Sequence, residues 1–448
     1  MTTPPEQGIE TPRSSRSNHA ALGIVWLVVF IDLLGFGIVL PVLPRQAELY
    51  LQGMTPGARG AVIGILFSIF SLMQFIFSPV WGRISDRIGR KPVLLISLSG
   101  SVVFYALYGF AVTFDSAHAQ LAIALMLLSR IGAGIAGASV GTAAAVIADC
   151  TPPEKRAKGM ALIGIAFGAG FTFGPLIAYF GLALFDQEPW GVGALASGLS
   201  LAALVIAIWV FHETRNPANV AGKEFFSIRR TVDVLRMPTV GKLITMYFLA
   251  IFAFAQFEAT LALFTGAAFG MSVEDNFLVF ALVGGVLTFA GGAYRGFVRR
   301  RTEHQMLSLG LILMLAGLGS LAVVAWAAPG EPSALAAVVG GLAFASQPAA
   351  SGWLKAAFYC SMAIAVIGFA FVNPSVSALV SKRADPARQG EVLGVNQSFA
   401  SLGRILGPFL GSVLFQAGVS HTLPYLAAVG LLLLVASLLP RVRANAHA

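Results

Sequence analysis

The chain has 448 residues, of which 57% are hydrophobic and only 11% are charged, and it carries 29 Lys and Arg against 20 Asp and Glu. Soluble proteins carry roughly 25% charged residues, so the composition excludes an ordinary soluble enzyme. Apolar runs of about 20 residues, each long enough to cross a bilayer as a helix, recur along the chain and predict a polytopic, all-α membrane protein. The two cysteines, Cys150 and Cys360, lie far apart, which excludes a disulfide framework and a CxxC metal or redox site.

The hydropathy profile divides the chain into two halves of six helices. A polar, Pro- and Ser-rich segment at 1–19 predicts a disordered cytoplasmic tail, and a charged segment at 213–239 predicts a cytoplasmic linker between an N-terminal half at 20–212 and a C-terminal half at 240–440. Residues 441–448 complete the chain as a second cytoplasmic tail.

Twelve transmembrane helices are predicted from the apolar runs and the Gly, Pro and charge clusters between them. A further apolar stretch within 327–353 is too short for a span, and we interpret it as a periplasmic insertion or a re-entrant segment. The predicted spans are 20–44, 61–81, 92–112, 119–148, 159–184, 191–211, 240–266, 276–298, 304–326, 354–381, 391–416 and 424–440.

The distribution of basic residues predicts the orientation. With twelve spans, 24 of the 29 Lys and Arg residues fall on the side of the two termini, and only Arg45, Arg59 and Lys355 fall on the other side. Because Lys and Arg remain cytoplasmic during insertion, both termini are predicted to be cytoplasmic. The candidates for a periplasmic gate, on the opposite side, are Arg45, Glu48, Lys355 and the 327–353 segment.

The first half contains two charged residues within predicted spans, Asp32 in helix one and Arg130 in helix four. An ionised side chain in the hydrocarbon region is costly unless it is paired or faces water, so a functional role is the first hypothesis. Arg130 shares a helical face with Gly134, Gly137 and Gly141, which permits close helix contact. Gln74 in helix two is a candidate for a substrate cavity.

A glycine- and charge-rich motif lies between helices two and three. It reads Gly-Arg-Ile-Ser-Asp-Arg-Ile-Gly-Arg-Lys from Gly82 to Lys91, and Asp86 is predicted to cap a helix N-terminus. The basic residues can pair with carboxylates such as Asp149, which would form a latch at the cytoplasmic face that breaks in another state. The residues assigned to this gate are Gly82, Asp86, Arg87, Gly89, Arg90 and Asp149.

The second half repeats features of the first. A Gly-x-x-x-Gly-Pro pattern occurs in helix five at Gly170, Gly174 and Pro175 and again, 233 residues later, in helix eleven at Gly403, Gly407 and Pro408. Glu258, 226 residues after Asp32, is also a lone carboxylate in the first helix of its half. Parallel repeats with a substrate site between them are an architecture of transporters, so the pattern favours transport.

Further polar residues of the second half are predicted to lie within the membrane. Glu258 is a candidate for proton or substrate contact, with a purely structural role as the alternative. The remaining candidates for lining a substrate cavity are Gln256, Asn373, Gln397 and Arg404.

These motifs resemble those of a known family. The sequence Gly-x-x-x-Asp-Arg-x-Gly-Arg-Lys at 82–91 resembles the signature of the major facilitator superfamily, and Asp32-Leu-Leu-Gly-Phe-Gly-Ile-Val-Leu-Pro41 resembles the start of its twelve-helix drug/proton antiporters, the tetracycline exporters in particular. Arg130-Ile-Gly-Ala-Gly134 and the helix-five pattern resemble two further motifs of that family. The resemblance covers essentially the whole chain and implies the two-half major facilitator fold.

The resemblance also implies a mechanism. In the resembling family the helix-four arginine lies near a helix-one acid, so Asp32 is expected to accept the proton with Arg130 as a partner from which it separates during transport; a static ion pair is the alternative. The chain departs from tetracycline exporters because the membrane carboxylates that those proteins carry in helices four and nine have no match here, and the motif at Arg295–Glu303 is degenerate.

The leading hypothesis is a monomeric secondary transporter of a bacterial inner membrane that exports lipophilic drugs, with tetracycline-like drugs among the candidates, in exchange for protons. The alternatives are a proton-coupled metabolite or sugar symporter, a uniporter, and, more remotely, a receptor or membrane enzyme that moves no substrate. No GxxxxGK[ST] motif occurs, so ATP hydrolysis is not expected. No cofactor, metal site or nucleic-acid partner is expected.

Overall fold

The computed structural model describes residues 15–151, 156–214, 228–298, 301–328, 352–384, 389–417 and 421–444. Within these ranges the chain is helical and contains no strand. Eleven helices are long and apolar enough to cross a membrane, and a shorter apolar helix covers Leu423–Leu439. The predicted all-α fold of twelve transmembrane helices is thereby confirmed. Residues 1–14, 215–227, 329–351 and 445–448, on which parts of the predicted tails, linker and extra segment fall, lie outside the description.

The helices are numbered here in chain order. α5, a 3-10 turn at Gly137–Ser139 and α6 make one crossing, whereas α2 and α9 are too short to cross. The end of the bundle at the α3–α4 junction is called the basic end, and the other is called the distal end. The bounds are α1 Ser15–Val39, α2 Leu43–Tyr50, α3 Pro56–Ile88, α4 Arg90–Ala111, α5 Ala119–Ala136, α6 Val140–Cys150, α7 Arg156–Leu182, α8 Trp190–Val210, α9 Ile228–Arg236, α10 Val240–Phe269, α11 Val273–Val298, α12 Glu303–Trp326, α13 Gly352–Arg383, α14 Gln389–Gln416 and α15 Leu423–Ala444.

The first span ends earlier than predicted. It was expected to continue to residue 44, but α1 ends at Val39 and a separate helix, α2, begins at Leu43. Pro41 has no N–H to donate and its ring clashes with the preceding turn, which ends α1. Pro44 stands in the first turn of α2, where the missing N–H costs nothing. The chain therefore turns at the distal end, and α2 packs against α10 of the other half.

The second span is longer than predicted. Instead of 61–81, α3 covers Pro56–Ile88 and continues through Pro79. The glycine- and charge-rich motif therefore lies mostly in the last turns of a helix and not in a loop. The break comes at Gly89, whose φ of +108° is one that a residue with a side chain rarely adopts.

Small residues permit the closest helix contacts within each half. A methyl group at Gly174 of α7 would lie 2.9 Å from the carbonyl oxygen of Leu34 in α1, and one at Gly407 of α14 would lie 2.9 Å from that of Phe252 in α10. Each Gly-Pro motif thus packs its helix against the first helix of its own half, as an internal repeat requires.

The two halves meet along two helix pairs, α3 with α14 and α7 with α11. Gly60 and Gly64 of α3 lie directly against the backbone of Ser412 and Phe409 in α14, and Gly284 of α11 lies against Thr172 of α7. These contacts fall from the middle of the bundle to its distal end, so the described structure is closed distally.

Candidate functional site

The carboxylate of Asp32 is enclosed within the N-terminal half. The residue is only 4% exposed, and the hydroxyls of Ser101 in α4 and Ser139 in the 3-10 turn each donate to one of its oxygens at 3.2 Å. Hydrogen bonds donated to a carboxylate stabilise its charged form against the cost of burial. The site therefore holds a carboxylate in the membrane by hydroxyl groups from two neighbouring helices.

Arg130 lies near this site but does not form the predicted pair with Asp32. It is 2% exposed. Its Nε donates to the carbonyl oxygen of Leu66 at 3.4 Å, and its guanidinium lies 4.4 Å from the ring centre of Phe70 and 5.6 Å from that of Phe36. Aromatic faces stabilise a desolvated guanidinium, so Arg130 has partners of its own. An ion pair with Asp32 is absent from the described contacts of this conformation.

The carboxylate of the C-terminal half has a different setting. Glu258 of α10 is half-buried, and so is Arg404 of α14, which acts on it electrostatically. Arg404 also acts on Tyr247, whose hydroxyl donates to Asn373 Oδ1 of α13 at 2.6 Å. Arg404 thus acts on an acid nearer the distal end and on a phenol bonded to an amide nearer the basic end, about 16 Å apart along α10.

The register of the repeat also separates the two acids. Since Gly174 packs on Leu34 and Gly407 packs on Phe252, the residue of α10 that corresponds to Asp32 is Ala250. Glu258 lies eight residues further along the helix, about 12 Å closer to the distal end at 1.5 Å per residue. The equal placement suggested by the sequence is therefore only approximate, and the two acids occupy different depths.

Gln256 is not placed where the sequence prediction expected it. Its side chain is fully buried, and α14 crosses so closely that a methyl group at Gly411 would lie 3.0 Å from the Cα of Gln256. Neither amide atom of Gln256 has a hydrogen-bond partner among the described residues. In this conformation Gln256 lies in a helix interface and cannot touch a substrate, which corrects its assignment to the cavity.

Two other cavity candidates differ in their surroundings. Gln74 of α3 donates to the carbonyl oxygen of Gly137 at 3.1 Å, so it supports the turn between α5 and α6. Gln397 of α14 is exposed. The serines that hold Asp32 were missed by the sequence analysis. Ser101 repeats at helical spacing with Ser97 and Tyr105, which was the available signal.

The motif at the basic end forms a compact polar network around Arg90. Its Nη1 contacts Asp86 Oδ1 at 2.5 Å and donates to Ser85 Oγ at 2.7 Å, and its Nε contacts Asp149 Oδ2 at 3.2 Å. The predicted contact between the basic run and Asp149 is present. It joins α4 to α6 within one half.

The predicted capping role of Asp86 is wrong. Asp86 lies in the last turn of α3, and the N-terminus of α4 is capped by Glu213, which accepts from the backbone N–H groups of Arg90 at 2.9 Å and Lys91 at 3.0 Å. Sequence spacing could not show this, because Glu213 follows α8, more than 120 residues away. Gly82 and Arg87 lie in the same last turns of α3.

The distal end is joined across the two halves by α2. Arg45 donates to the carbonyl oxygen of Met271, between α10 and α11, and Glu48 accepts from Gln416 at the end of α14. Burial lowers the pKa of Arg45, and the nearby carboxylates of Glu48 and Asp275 act in the opposite direction. We call Arg45 and Glu48 with these two partners the distal clasp.

Comparison with known proteins gives consistent matches over most of the chain. The model of the Major Facilitator Superfamily matches residues 25–354. The tetracycline resistance protein, class E, of Escherichia coli is 29% identical over 400 residues, which cover 87% of each chain. Major facilitator superfamily domain-containing protein 10 of Bos taurus is 28% identical over 459 residues, covering 92% of this chain and 91% of its own.

The solved structures agree in architecture. The crystal structure of a D-xylose-proton symporter superposes with a TM-score of 0.72 at 16% identity and covers 94% of this chain and 97% of that one. At this identity the likeness shows the fold alone.

Proposed function

The chain belongs to the major facilitator superfamily, and from that premise we propose that it exports lipophilic small molecules in exchange for protons. It is a multi-pass membrane transporter and not an enzyme. The tetracycline resistance proteins among its relatives favour a drug of that general chemistry, although the chain lacks their additional membrane carboxylates. Protons and one small lipophilic substrate are its proposed ligands, and no cofactor is needed.

The single observation that carries the proposal is the setting of Asp32. A carboxylate that is 4% exposed in the membrane and held by two hydroxyls, with no basic side chain paired to it among the described residues, can exist charged or neutral. Hydroxyls serve both forms because they donate to a carboxylate and accept from a carboxylic acid. We propose Asp32 as the proton acceptor, with Arg130 as the nearby cation whose influence on it changes between conformations.

The C-terminal half supplies the proposed substrate contacts. Glu258 and Arg404 are half-buried, and the same two helices, α10 and α14, also bring Phe248 and Phe399 together with their ring centres 6.1 Å apart. Aromatic surface with a few charged groups suits lipophilic molecules that carry a polar group.

The basic residues support an orientation with both termini in the cytoplasm, in a bacterial inner membrane, and a monomer that comprises the two halves and the linker given above. The distal end is then periplasmic, and the described conformation is closed on that side. The network of Arg90 with Asp86 and Asp149 is proposed as the cytoplasmic gate.

Proton-coupled flux in proteoliposomes of known orientation tests the proposal, with a panel of lipophilic drugs that includes a tetracycline. An inward-directed drug gradient should drive proton counterflow, and Asp32→Asn should reduce it by about 100-fold or more while drug binding persists.

Proton and substrate movement in the same direction would instead establish the rival function, a metabolite or sugar symporter, and substrate flux without any proton movement would indicate a uniporter. A panel that gives no flux, extended to metabolites, would support a receptor that moves no substrate.

A further inference from the structure

A line of buried hydroxyl groups extends from Asp32 toward the distal end. Ser101, Tyr105 and Tyr108 of α4 follow the helical spacing 0, 4, 7, which places them on one face of the helix. They are 2%, 2% and 0% exposed. At 1.5 Å per residue the line covers about 10 Å of the membrane.

The part of this line nearer the basic end, Ser101 and Tyr105, contacts Asp32 directly. Ser101 donates to its carboxylate at 3.2 Å, and the Tyr105 hydroxyl lies 3.4 Å from its backbone oxygen. The glycine at position 35 makes this possible, because a methyl group there would lie 2.5 Å from ring atoms of Tyr105. The tyrosine ring therefore packs directly against the backbone of α1.

Toward the distal end the line finishes at Tyr108, whose hydroxyl has no function in the fold. Tyr108 is fully buried, and its hydroxyl has no hydrogen-bond partner among the described residues. A buried polar group without a partner costs about 1–3 kcal/mol, and phenylalanine would fill the same space without that cost. The structure alone gives no reason for a tyrosine here.

The charged and titratable groups around Tyr108 point to proton movement. Arg130 of α5 acts electrostatically on both tyrosines, and Tyr50 of α2 lies on the distal side of Tyr108. Tyr50 donates to the carbonyl oxygen of Phe114 at 2.8 Å, next to Asp115 in the exposed turn. Burial and the charge of Asp115 raise the pKa of Tyr50, so this phenol stays protonated.

We propose that Tyr108, Tyr105 and Ser101 form a proton path along one face of α4 that connects the distal end of the N-terminal half to Asp32, separate from the substrate route. This inference rests on the proposed proton coupling. In each transfer a hydroxyl accepts a proton on one side and releases its own on the other; a water molecule that enters between Tyr108 and Tyr105 when the distal end opens is part of the proposal. One proton leaves the distal solution, one arrives on Asp32, and every hydroxyl ends with one proton.

Two features keep the path selective. Arg130 repels any free cation, including hydronium, in a low-dielectric environment, so only a relay between neutral hydroxyls is favourable. In this distally closed conformation the Tyr50 hydroxyl donates to the carbonyl oxygen of Phe114. Tyr50 is therefore not hydrogen-bonded to Tyr108, and the path is interrupted between these two residues. We infer that Tyr50 and Tyr108 become connected only when the distal end of the protein opens, so that protons do not leak through the path continuously.

Tyr108→Phe tests the path, because it removes a hydroxyl that bonds no described group. We expect substrate-driven proton uptake by proteoliposomes to slow about 10-fold, with a larger solvent deuterium isotope effect. Substrate binding and proton-independent substrate counterflow should stay unchanged, and thermal stability should be equal or higher, because the variant lacks a buried hydroxyl without a described partner. Tyr425→Phe, at a fully buried tyrosine of the other half, is the matched control and should leave proton uptake unchanged.

A proton uptake rate for Tyr108→Phe within twofold of the wild type would overturn the path while leaving the antiporter intact. If that variant does not fold, Tyr105→Phe replaces it, and an unchanged rate there has the same meaning. A wild type in which no substrate moves protons would overturn the proposed coupling itself, and the path with it.

Discussion

Asp32 in the N-terminal half and Glu258 in the C-terminal half are both membrane carboxylates, and their surroundings differ in nearly every respect. Asp32 is 4% exposed and is held by two serine hydroxyls. Glu258 is half-buried, and Arg404, a cation in the adjacent helix, acts on it electrostatically. It also lies about 12 Å closer to the distal end than the position equivalent to Asp32.

The difference teaches that a repeated fold need not repeat its chemistry. A shielded carboxylate with neutral partners can bind a proton without contacting the substrate, whereas a half-buried acid within electrostatic reach of a cation is placed to discriminate charge in a substrate. We therefore assign proton binding to the N-terminal half and substrate selection to the C-terminal half. The predictions for Glu258 and for the two serines test this division directly, and two further predictions test the distal clasp and the buried amide of Gln256.

The largest effect is expected for Glu258→Gln with charged substrates. Removing the carboxylate should raise KM for a cationic drug by about 10- to 100-fold, which corresponds to roughly 1.4–2.7 kcal/mol of lost attraction. KM for a neutral drug should change less than threefold. Transport assays with a matched pair of a cationic and a neutral drug measure this. An equal rise of KM for both drugs would contradict the assignment and would indicate that Glu258 takes part in proton coupling.

The distal clasp joins the two halves at the distal end, and Arg45→Ala should weaken this contact. Losing a hydrogen bond from a charged group costs about 1.5–3 kcal/mol, so the population open at the distal end should rise about 10-fold or more. Labelling of Ser412→Cys by a membrane-impermeant maleimide, in a background of Cys150→Ser and Cys360→Ser, measures this.

Arg59→Ala is the control for the clasp, since the hydrogen bond of Arg59 goes to Gln52 of its own half. Labelling that rises equally in both variants would show general loosening and would argue against a clasp.

The double variant Ser101→Ala with Ser139→Ala tests the hydroxyl setting of Asp32. Both hydroxyls donate to the carboxylate, so their loss favours the protonated form. The pH at which exchange is half-maximal should therefore move upward by about one unit. Ser97→Ala, which removes a donor to Ala136 instead, should leave the pH profile of exchange unchanged; a shift there, or none in the double variant, contradicts the assignment.

The smallest effect is expected for Gln256→Leu. Its amide is buried without a described partner, so an apolar side chain of similar size should raise stability by about 1 kcal/mol and leave KM unchanged. Gln74→Leu is the matched contrast, because it removes a donor to Gly137 and should lower stability. Thermal unfolding in detergent compares the two, and a changed KM for Gln256→Leu would place Gln256 in the substrate site after all.

Local sequence patterns predicted much of the fold but little of the site. The twelve spans follow from apolar length, and the Gly-Pro motifs contact the first helix of their half as a repeat implies. The sequence also pointed to Asp32, Arg130, Glu258 and Arg404 as charged groups within spans. It did not predict Ser139 or Glu213, because a partner more than 60 residues away leaves no local pattern. Ser101 had a local signal, its helical spacing with Ser97 and Tyr105, but that spacing does not show which helix the serine faces.

The sequence by itself determined that this protein lies in a membrane, how many times it crosses the membrane and which family it resembles. Helices in hydrocarbon must be long and apolar and must satisfy their own backbone hydrogen bonds, so each crossing leaves a local pattern in the sequence. Only the tertiary structure decided which helices supply the partners of each charged side chain, such as the aromatic rings that contact Arg130. It also decided that Gln256 is buried and that α2 joins the two halves at the distal end. The physical reason is that a side chain's partners are set by distances between helices, which apolar periodicity does not encode.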